Sequence, residues 1–399
     1  MRLFHCASDA EIKRGETTDI YFVRTEQVIK AKGLDGTRVV ADVTPGILPH
    51  GWSWGILCGI EEEARLLEGL SLDVYAMPEG SVFYHEDSRG VREPVIRIEG
   101  SYGAFCLYET PLLGLICQAS GIATCAARVR RDAGERTLVS FGIRRMHPAL
   151  SPMIDRAAYI GGFDAVSSLS GAKVLGIEPV GTMPHALIIV VGDQVEAWRA
   201  FDEVMPSRVP RIALVDTYSD EKAETLMAAE VLGKRLDAVR LDTPGSRRGD
   251  LAEIVREVRW ELDVRGFKHV KIFVSGGLSE KNVGELGNAG ADGFGVGTSV
   301  SNAPTVDFAM DIVERDGKFC AKRGKMGGRK EVWRCPKCLV DTVLPGSQAE
   351  PRCLKCGGRT ERMLRPLIKD GRIVAKLPRP KEIREHVLEQ IKLLPPDDP

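Results

Sequence analysis

The sequence predicts an α/β protein: a β–α barrel preceded by an α+β domain and followed by a small cysteine-paired module. Three observations carry this reading. From Leu115 to about Met310, short β-branched runs alternate with longer helical patterns, as in repeated β–α units around a parallel sheet. Residues 1–113 instead mix short β-rich runs with Gly/Pro turns. Near the C-terminus stand two Cys-x-x-Cys pairs, Cys335-Pro-Lys-Cys338 and Cys353-Leu-Lys-Cys356. The implied division is 1–113, 114–315 and 316–399.

In chain order, the first domain offers strand candidates at Asp19–Val23, Val39–Val43 and Val95–Glu99, with a helical stretch around Glu61–Glu68. It has no nucleotide loop of its own. Barrel strands are expected at Thr137–Phe141, Asp164–Ser168, Ala172–Leu175, Arg211–Val215, Asp237–Leu241, Val270–Val274 and Asp292–Val296. Segments such as Glu221–Leu232, Leu251–Val264 and Glu280–Ala289 are long enough for crossover helices. Some seven such units in series favour a barrel over an open sheet. Polar residues and glycines gather just after the strands (Arg144, Asp216, Asp242, Ser275-Gly276-Gly277, Gly297-Thr298), at the mouth where barrels place active sites. Beyond Asp316 come a basic Gly-rich run, Ala321–Lys330, the cysteine module, a β-like stretch Arg362–Val374 and an amphipathic helix Pro380–Leu394. In that helix Ile383, Val387, Ile391 and Leu394 recur at three- and four-residue steps, a face that should dock on a core.

At 399 residues the chain can hold two or three domains and a large core. Its 55 Lys+Arg against 56 Asp+Glu argue against a generally cationic nucleic-acid binder. The charge is uneven, however: 316–399 carries 20 basic and 11 acidic residues, a net of +9, leaving −10 for 1–315. A basic module of this kind either touches nucleic acid or is a solvated protein contact. Cys6, Cys58, Cys106, Cys117, Cys125 and Cys320 lack framework spacing and read as free thiols of a reducing cytoplasm. The N-terminus lacks an apolar core of signal-peptide length, and no stretch of about 18 apolar residues is evident, so no membrane span is expected.

The four paired cysteines have the bite to grip a tetrahedral ion, and thiolates with this spacing favour zinc in a ribbon. Disulfide-linked hairpins and an iron–sulfur or redox site are the alternatives. Four thiolates leave no open coordination position, so such a zinc is structural. Ser275-Gly276-Gly277 and Gly295-Val-Gly297-Thr298, after consecutive strands, suit a phosphate cradle in which glycine lets the main chain approach and amides at helix starts face the anion. Arg240-Leu-Asp242 and Val215-Asp216 place carboxylates beside it, suited to a divalent cation or ribose hydroxyls; salt bridges to Arg247 and Arg248 are the bland reading. Phe141-Gly-Ile-Arg144-Arg145-Met-His147-Pro gathers a ring, two guanidiniums and an imidazole, a set that binds a planar anionic ring. A buried Phe beside surface arginines is its bland counterpart. Gly181-Thr182-Met-Pro-His185, just before an apolar helix, projects a hydroxyl and an imidazole, although a lone histidine is more often structural.

Together these segments resemble the nicotinate phosphoribosyltransferases. The match runs from Gly15-x-x-Thr-Asp-x-Tyr21-Phe-x-x-Thr25 through Phe141–Arg145, Gly161-Gly162, Gly181–His185, Arg240-x-Asp242, Ser275–Leu278 and Gly295–Thr298 to the Cys-x-x-Cys tail of archaeal-type members. The resemblance implies an α/β fold with an irregular barrel, an N-terminal α+β sandwich-like domain and a C-terminal zinc ribbon. It implies a cytoplasmic homodimer or higher homo-oligomer with shared active sites, making nicotinate mononucleotide and pyrophosphate from nicotinate and phosphoribosyl pyrophosphate for NAD salvage. ATP is implied as co-substrate and magnesium as cofactor. By motif, Phe141 and Tyr21 (from a neighbouring subunit) sandwich the pyridine ring. Thr182 and Arg144 hold nicotinate, with Arg145 and His147 as neighbours. Arg240, Asp242, Asp216, Ser275, Gly276, Gly277, Gly297 and Thr298 hold phosphoribose, pyrophosphate and magnesium, and His185 matches the histidine that ATP phosphorylates.

The chemistry is consistent with these residue types. Departing pyrophosphate leaves positive charge on the ribose, and the pyridine nitrogen attacks C1 without a general base. Ala119-Ser-Gly-Ile-Ala-Thr124 also looks like the decarboxylating quinolinate phosphoribosyltransferases, but their Thr-Arg-Lys-Thr segment is replaced here and they lack a ribbon. Nicotinamide as substrate is a further alternative. A non-catalytic barrel with a nucleic-acid-binding ribbon is opposed by the intact Arg240, Asp242 and His185.

Overall fold

A computed structural model describes residues 3–346 and 348–395, arranged in two compact units. The last four residues of the expected 316–399 segment lie outside the described residues.

One unit comprises Met1–Thr124, Ile160–Gly162 and Pro304–Pro399. Its centre is an antiparallel seven-stranded sheet in the order Lys318–Phe319, Phe308–Arg315, Arg38–Pro45, Ile96–Ser101, Leu72–Ala76, Arg365–Lys369, Arg372–Ile373. Val43, Val74, Ile98 and Ile368 lie fully buried in a core shared with Leu67 of the helix Ile60–Leu67. The C-terminal segment therefore completes this unit's sheet. The helix Pro380–Ile391 buries Ile383, Val387 and Ile391, the face its spacing predicts. Gln390 from the same helix accepts the Val82 N–H at 3.0 Å.

Asp42 and Asp311 stand directly opposite each other in the sheet and are both buried, a like-charge pairing that is unfavourable unless neutralised. The basic run supplies the counter-ions. Lys322 and Lys325 reach Asp311 at 2.7 and 2.8 Å, and Lys330 reaches Asp42 at 3.0 Å. Arg329 bridges Glu99 and Glu314 at 2.9 and 3.2 Å.

The other unit comprises Cys125–Tyr159 and Phe163–Ala303. Six parallel strands run Ala165–Val166, Thr137–Ser140, Gly293–Val296, Lys271–Ser275, Ala238–Leu241, Ile212–Leu214. Read around a circle, this is chain order with one unpaired seam, between Ala165–Val166 and Ile212–Leu214. The seam makes the barrel irregular. The chain crosses it through three helices, Leu169–Leu175, His185–Val191 and Gln194–Val204. Crossover helices Glu221–Leu232 and Leu251–Val264 have the expected limits.

Several expectations need correction. Asp19–Val23 is not a strand: Asp19 precedes the helix Ile20–Ala31, in which a Glu26–Lys30 pair at 2.9 Å one turn apart supports helicity. Of the β-favouring residues there, Ile20 and Tyr21 are exposed, Val23 is half-buried and Phe22 is buried. Ala172–Leu175 is likewise helical, because Ser168 caps the Gly171 N–H and Gly176 closes the helix at φ +68°. Six strands are therefore present, not seven. The helix expected at Glu280 begins at Val283, after Asn282 Oδ1 accepts the Ser279 N–H. Finally, a segment long and apolar enough to cross a membrane does exist, at Tyr102–Ala133, but 72% of its apolar window is buried inside the protein, as for a core helix.

Candidate active site and cysteine cluster

The C-terminal ends of five barrel strands line a cavity of about 620 Å³. Thr137–Ser140 leads into Phe141 and a short 3₁₀ turn, Ile143–Arg145, that sets both Arg144 and Arg145 on the wall. The Phe141 ring lies against Gly295 of the neighbouring strand, where a Cβ would overlap its Cδ2 and Cε2 atoms. Phe273 flanks the ring at 6.2 Å between centroids. Gly276 and Gly277 adopt φ of +90° and +69°, so the chain doubles back directly after Ser275 with its main chain bare toward the cavity. Gly297 and Thr298 follow the adjacent strand, and Thr182 enters from the loop before His185–Val191.

Arg240, Asp242 and Ser275 of the lining belong to a linked set of polar groups. Asp216 is buried and accepts the Asp242 N–H at 2.6 Å and the Thr243 hydroxyl at 2.7 Å. The Asp242 carboxylate accepts from the Ser275 hydroxyl at 2.7 Å and from Arg240 Nη2 at 3.2 Å. This local pairing takes the place of the bridges to Arg247 and Arg248; Arg248 instead donates to the Thr243 carbonyl. His185, first in its helix, has Nδ1 3.0 Å from Thr217 Oγ1. Its Nε2 lies 3.7 Å from Asp216 Oδ1 and 3.8 Å from Asp242 Oδ2.

Burial pushes the Asp216 carboxyl above the usual range, opposed by the Thr243 and Asp242 hydrogen bonds and by His185. Burial also lowers Arg240, opposed by Asp242 and Asp216. Asp216 Oδ1 and Arg240 Nε are buried without a hydrogen-bond partner. Two orphaned buried atoms of opposite character fit a group that carries both charges, as a metal–phosphate pair would.

Two expected residues stand apart from the cavity. The His147 ring accepts the Ala149 N–H at 3.2 Å and caps its own turn, outside the cavity lining. Tyr21 belongs to the other unit and is 57% exposed on its helix. Conversely, Ser167, Ser279 and Ser299 line the cavity without having been singled out. All three follow barrel strands within a few residues, the position that could have flagged them.

Cys335, Cys338, Cys353 and Cys356 bring their Sγ atoms within 4.8 Å of one another. Each knuckle closes by the same two bonds: Leu339 N–H to Cys335 O and Gly357 N–H to Cys353 O at 2.9 Å, Cys335 N–H to Val340 O at 3.0 Å and Cys353 N–H to Gly358 O at 2.9 Å. Sulfur separations of 3.5, 3.6 and 3.9 Å exclude disulfides, whose S–S bond is about 2.05 Å. They fit the edges of a four-thiolate tetrahedron, about 3.8 Å for metal–sulfur bonds of about 2.3 Å. The group can hold a metal.

A mixed α/β chain with an unclosed parallel barrel and glycine turns at its mouth has the fold of the quinolinate-type phosphoribosyltransferases. Two family profiles agree: quinolinate phosphoribosyl transferase, N-terminal domain, over residues 19–120, and the C-terminal domain over residues 122–311. The nicotinate phosphoribosyltransferase of Mycobacterium tuberculosis is 31% identical over 95% of this chain and 87% of its own length. A structure of nicotinate-nucleotide pyrophosphorylase from Pyrococcus furiosus is 54% identical, with a TM-score of 0.94 over 98% of this chain and 99% of that one. Human nicotinic acid phosphoribosyltransferase shares the fold at 21% identity, with a TM-score of 0.74 over 95% and 94% of the two chains. The chain belongs to the nicotinate phosphoribosyltransferase family.

Proposed function

We propose that this enzyme joins nicotinate to the phosphoribosyl group of phosphoribosyl pyrophosphate, forming nicotinate mononucleotide and pyrophosphate for NAD synthesis. The carrying observation is the juxtaposition, in one cavity, of a flat aromatic platform, paired guanidiniums and two bare glycine turns. Phe141 stacks one face of the pyridine ring, while Arg144, with Thr182 and Arg145 beside it, takes the carboxylate. Ser275, Gly276, Gly277, Gly297 and Thr298 cradle the phosphates. Arg240 steadies the charge that develops on the departing pyrophosphate, and holding the ring nitrogen against C1 supplies most of the remaining rate.

Asp216 and Asp242 are the residues that would hold magnesium, and the orphaned Asp216 Oδ1 fits that role. Bound there, the ion neutralises the leaving group. His185 is the candidate acceptor of a phosphoryl group from ATP, the step that couples ATP hydrolysis to synthesis. The cysteine cluster holds structural zinc. The enzyme works as a cytoplasmic homodimer or higher homo-oligomer in which Tyr21 of a neighbour closes the ring site. The exposure of Tyr21, Ile20 and Val28 on one helix, and of Ile189 and Val190 on another, supports that assembly. The free thiols of the six other cysteines support the compartment.

The test mixes the protein with phosphoribosyl pyrophosphate and, separately, nicotinate, quinolinate and nicotinamide, and follows pyrophosphate. Release with nicotinate alone is expected. Release with quinolinate, accompanied by CO2, would assign the decarboxylating reaction instead.

A further inference from the structure

Glu224 has no part in the chemistry just described, yet it is placed to control it. It lies in the helix Glu221–Leu232 and is fully buried. Its Oε1 accepts the N–H groups of Tyr218 and Ser219, each at 2.8 Å, and its Oε2 accepts that of Thr217 at 3.1 Å. One carboxylate therefore fastens three consecutive amides of the loop after the strand Ile212–Leu214. The first of these residues is the one whose hydroxyl meets His185 Nδ1 at 3.0 Å.

The other imidazole nitrogen faces two carboxylates, Asp216 and Asp242, which can only accept when ionised. In the tautomer with its hydrogen on Nε2, facing these carboxylates, the ring accepts the Thr217 hydroxyl at Nδ1. Thr217 thus holds the ring at Nδ1, and the place of Thr217 is set by Glu224.

We propose that Glu224 is the positioning residue of His185, acting through the Thr217 hydroxyl to set the ring's orientation and its hydrogen bond at Nδ1. The proposal rests on His185 being the group through which ATP acts. Glu224→Gln retains shape but turns one oxygen into an NH2 donor. The amide oxygen keeps the Tyr218 and Ser219 pair, so the lost bond is the one to Thr217.

The test is 15N NMR of histidine-labelled full-length protein, with His185 assigned by loss of its signals in His185→Ala. In the wild type Nε2 should be protonated and Nδ1 should carry the shift of an accepting nitrogen. Thr217→Ser should preserve both signals, whereas Thr217→Val and Glu224→Gln should both lose the Nδ1 shift. ATP-stimulated kcat should fall about tenfold in the latter two, the scale of one buried hydrogen bond, with KM for nicotinate changed less than about twofold. Unchanged His185 signals in Glu224→Gln would overturn the proposal. If that variant does not fold, unchanged signals in Thr217→Val would do so. Signals that respond as described in a protein that never makes nicotinate nucleotide would leave the positioning role standing and remove the functional reading.

Discussion

Gly295→Ala separates the ring platform from the rest of the cavity. Gly295 does not have a left-handed φ and sits mid-strand, so alanine suits its backbone. The conflict is steric and falls mainly on Phe141, whose Cδ2 and Cε2 atoms the new Cβ would overlap, while Ser275 Cβ at 3.2 Å would need to give only slightly. Carbon atoms settle at about 3.5–4.0 Å, so the ring must retreat by about 1 Å or more. If the strand absorbs the strain, overpacking costs about 1–3 kcal/mol of stability. If the ring swings away, stacking of about 0.5–1.5 kcal/mol is lost, which weakens nicotinate binding about two- to twelvefold. Gly293→Ala is the control: its Cβ would meet Phe273 at 2.7 Å and Thr137 at 3.2 Å, in the same strand but outside the cavity lining. Both variants should lose thermal stability; only Gly295→Ala should raise KM for nicotinate while leaving that for phosphoribosyl pyrophosphate near its wild-type value. A Gly295→Ala enzyme that keeps its thermal stability, so that the ring has swung away, and still shows an unchanged nicotinate KM would refute Phe141 as the platform.

Purified protein prepared without chelator should hold about one zinc per chain, and Cys338→Ser should lose it with local unfolding of the ribbon, since zinc contributes roughly 10–16 kcal/mol in isolated fingers; metal analysis and proteolysis check this. Labelled ATP should give an acid-labile, base-stable phosphoprotein that is absent in His185→Ala, and that variant should retain ATP-independent turnover; equal slowing with and without ATP would refute the coupling. Mixed, reassembled Tyr21→Ala and Arg240→Ala chains should regain activity through hybrid sites, whereas no gain would count against a shared site. Glu109 is raised to about 7 by burial first and then by Asp311. Its contribution to stability is therefore full below its unfolded pKa of about 4.3 and is lost as pH rises through about 7, so Glu109→Gln should flatten that decline in urea melts across this window.

The barrel was legible because its helices and strands repeat with distinct periods, and because glycine turns after strands have a steric reason visible in composition. Ser275-Gly276-Gly277 and Gly297 therefore reach one cavity from different strands, as their shared position predicts. Asp19–Val23 misled through its β-favouring residues, and Ala172–Leu175 because the Ser168 cap before it is decided by one side-chain contact. Thr217 and Glu224 left no trace for a similar reason. A carboxylate that holds main-chain amides has no spacing rule, and only the path of the loop shows that it does so. His147 shows the opposite failure, since adjacency to Phe141 and Arg144 in sequence did not survive the turn of the chain.

The cations of Lys322, Lys325, Arg329 and Lys330 look like surplus when counted along the chain, yet each is the counter-charge of an acid some 10 to 290 positions away. Heredity is constrained accordingly. A lineage can alter Asp42, Asp311 or Glu99 only together with the strap that neutralises them, so these distant positions should vary as a set across relatives. A chimaera that borrowed its tail from a protein lacking the strap would bury two facing aspartates with no cation between them. The cysteine module, whose strands Asp341–Pro345, Lys330–Arg334 and Glu361–Arg362 form a sheet of their own, is thus tied to the seven-stranded sheet through the cations before and at the start of its first strand.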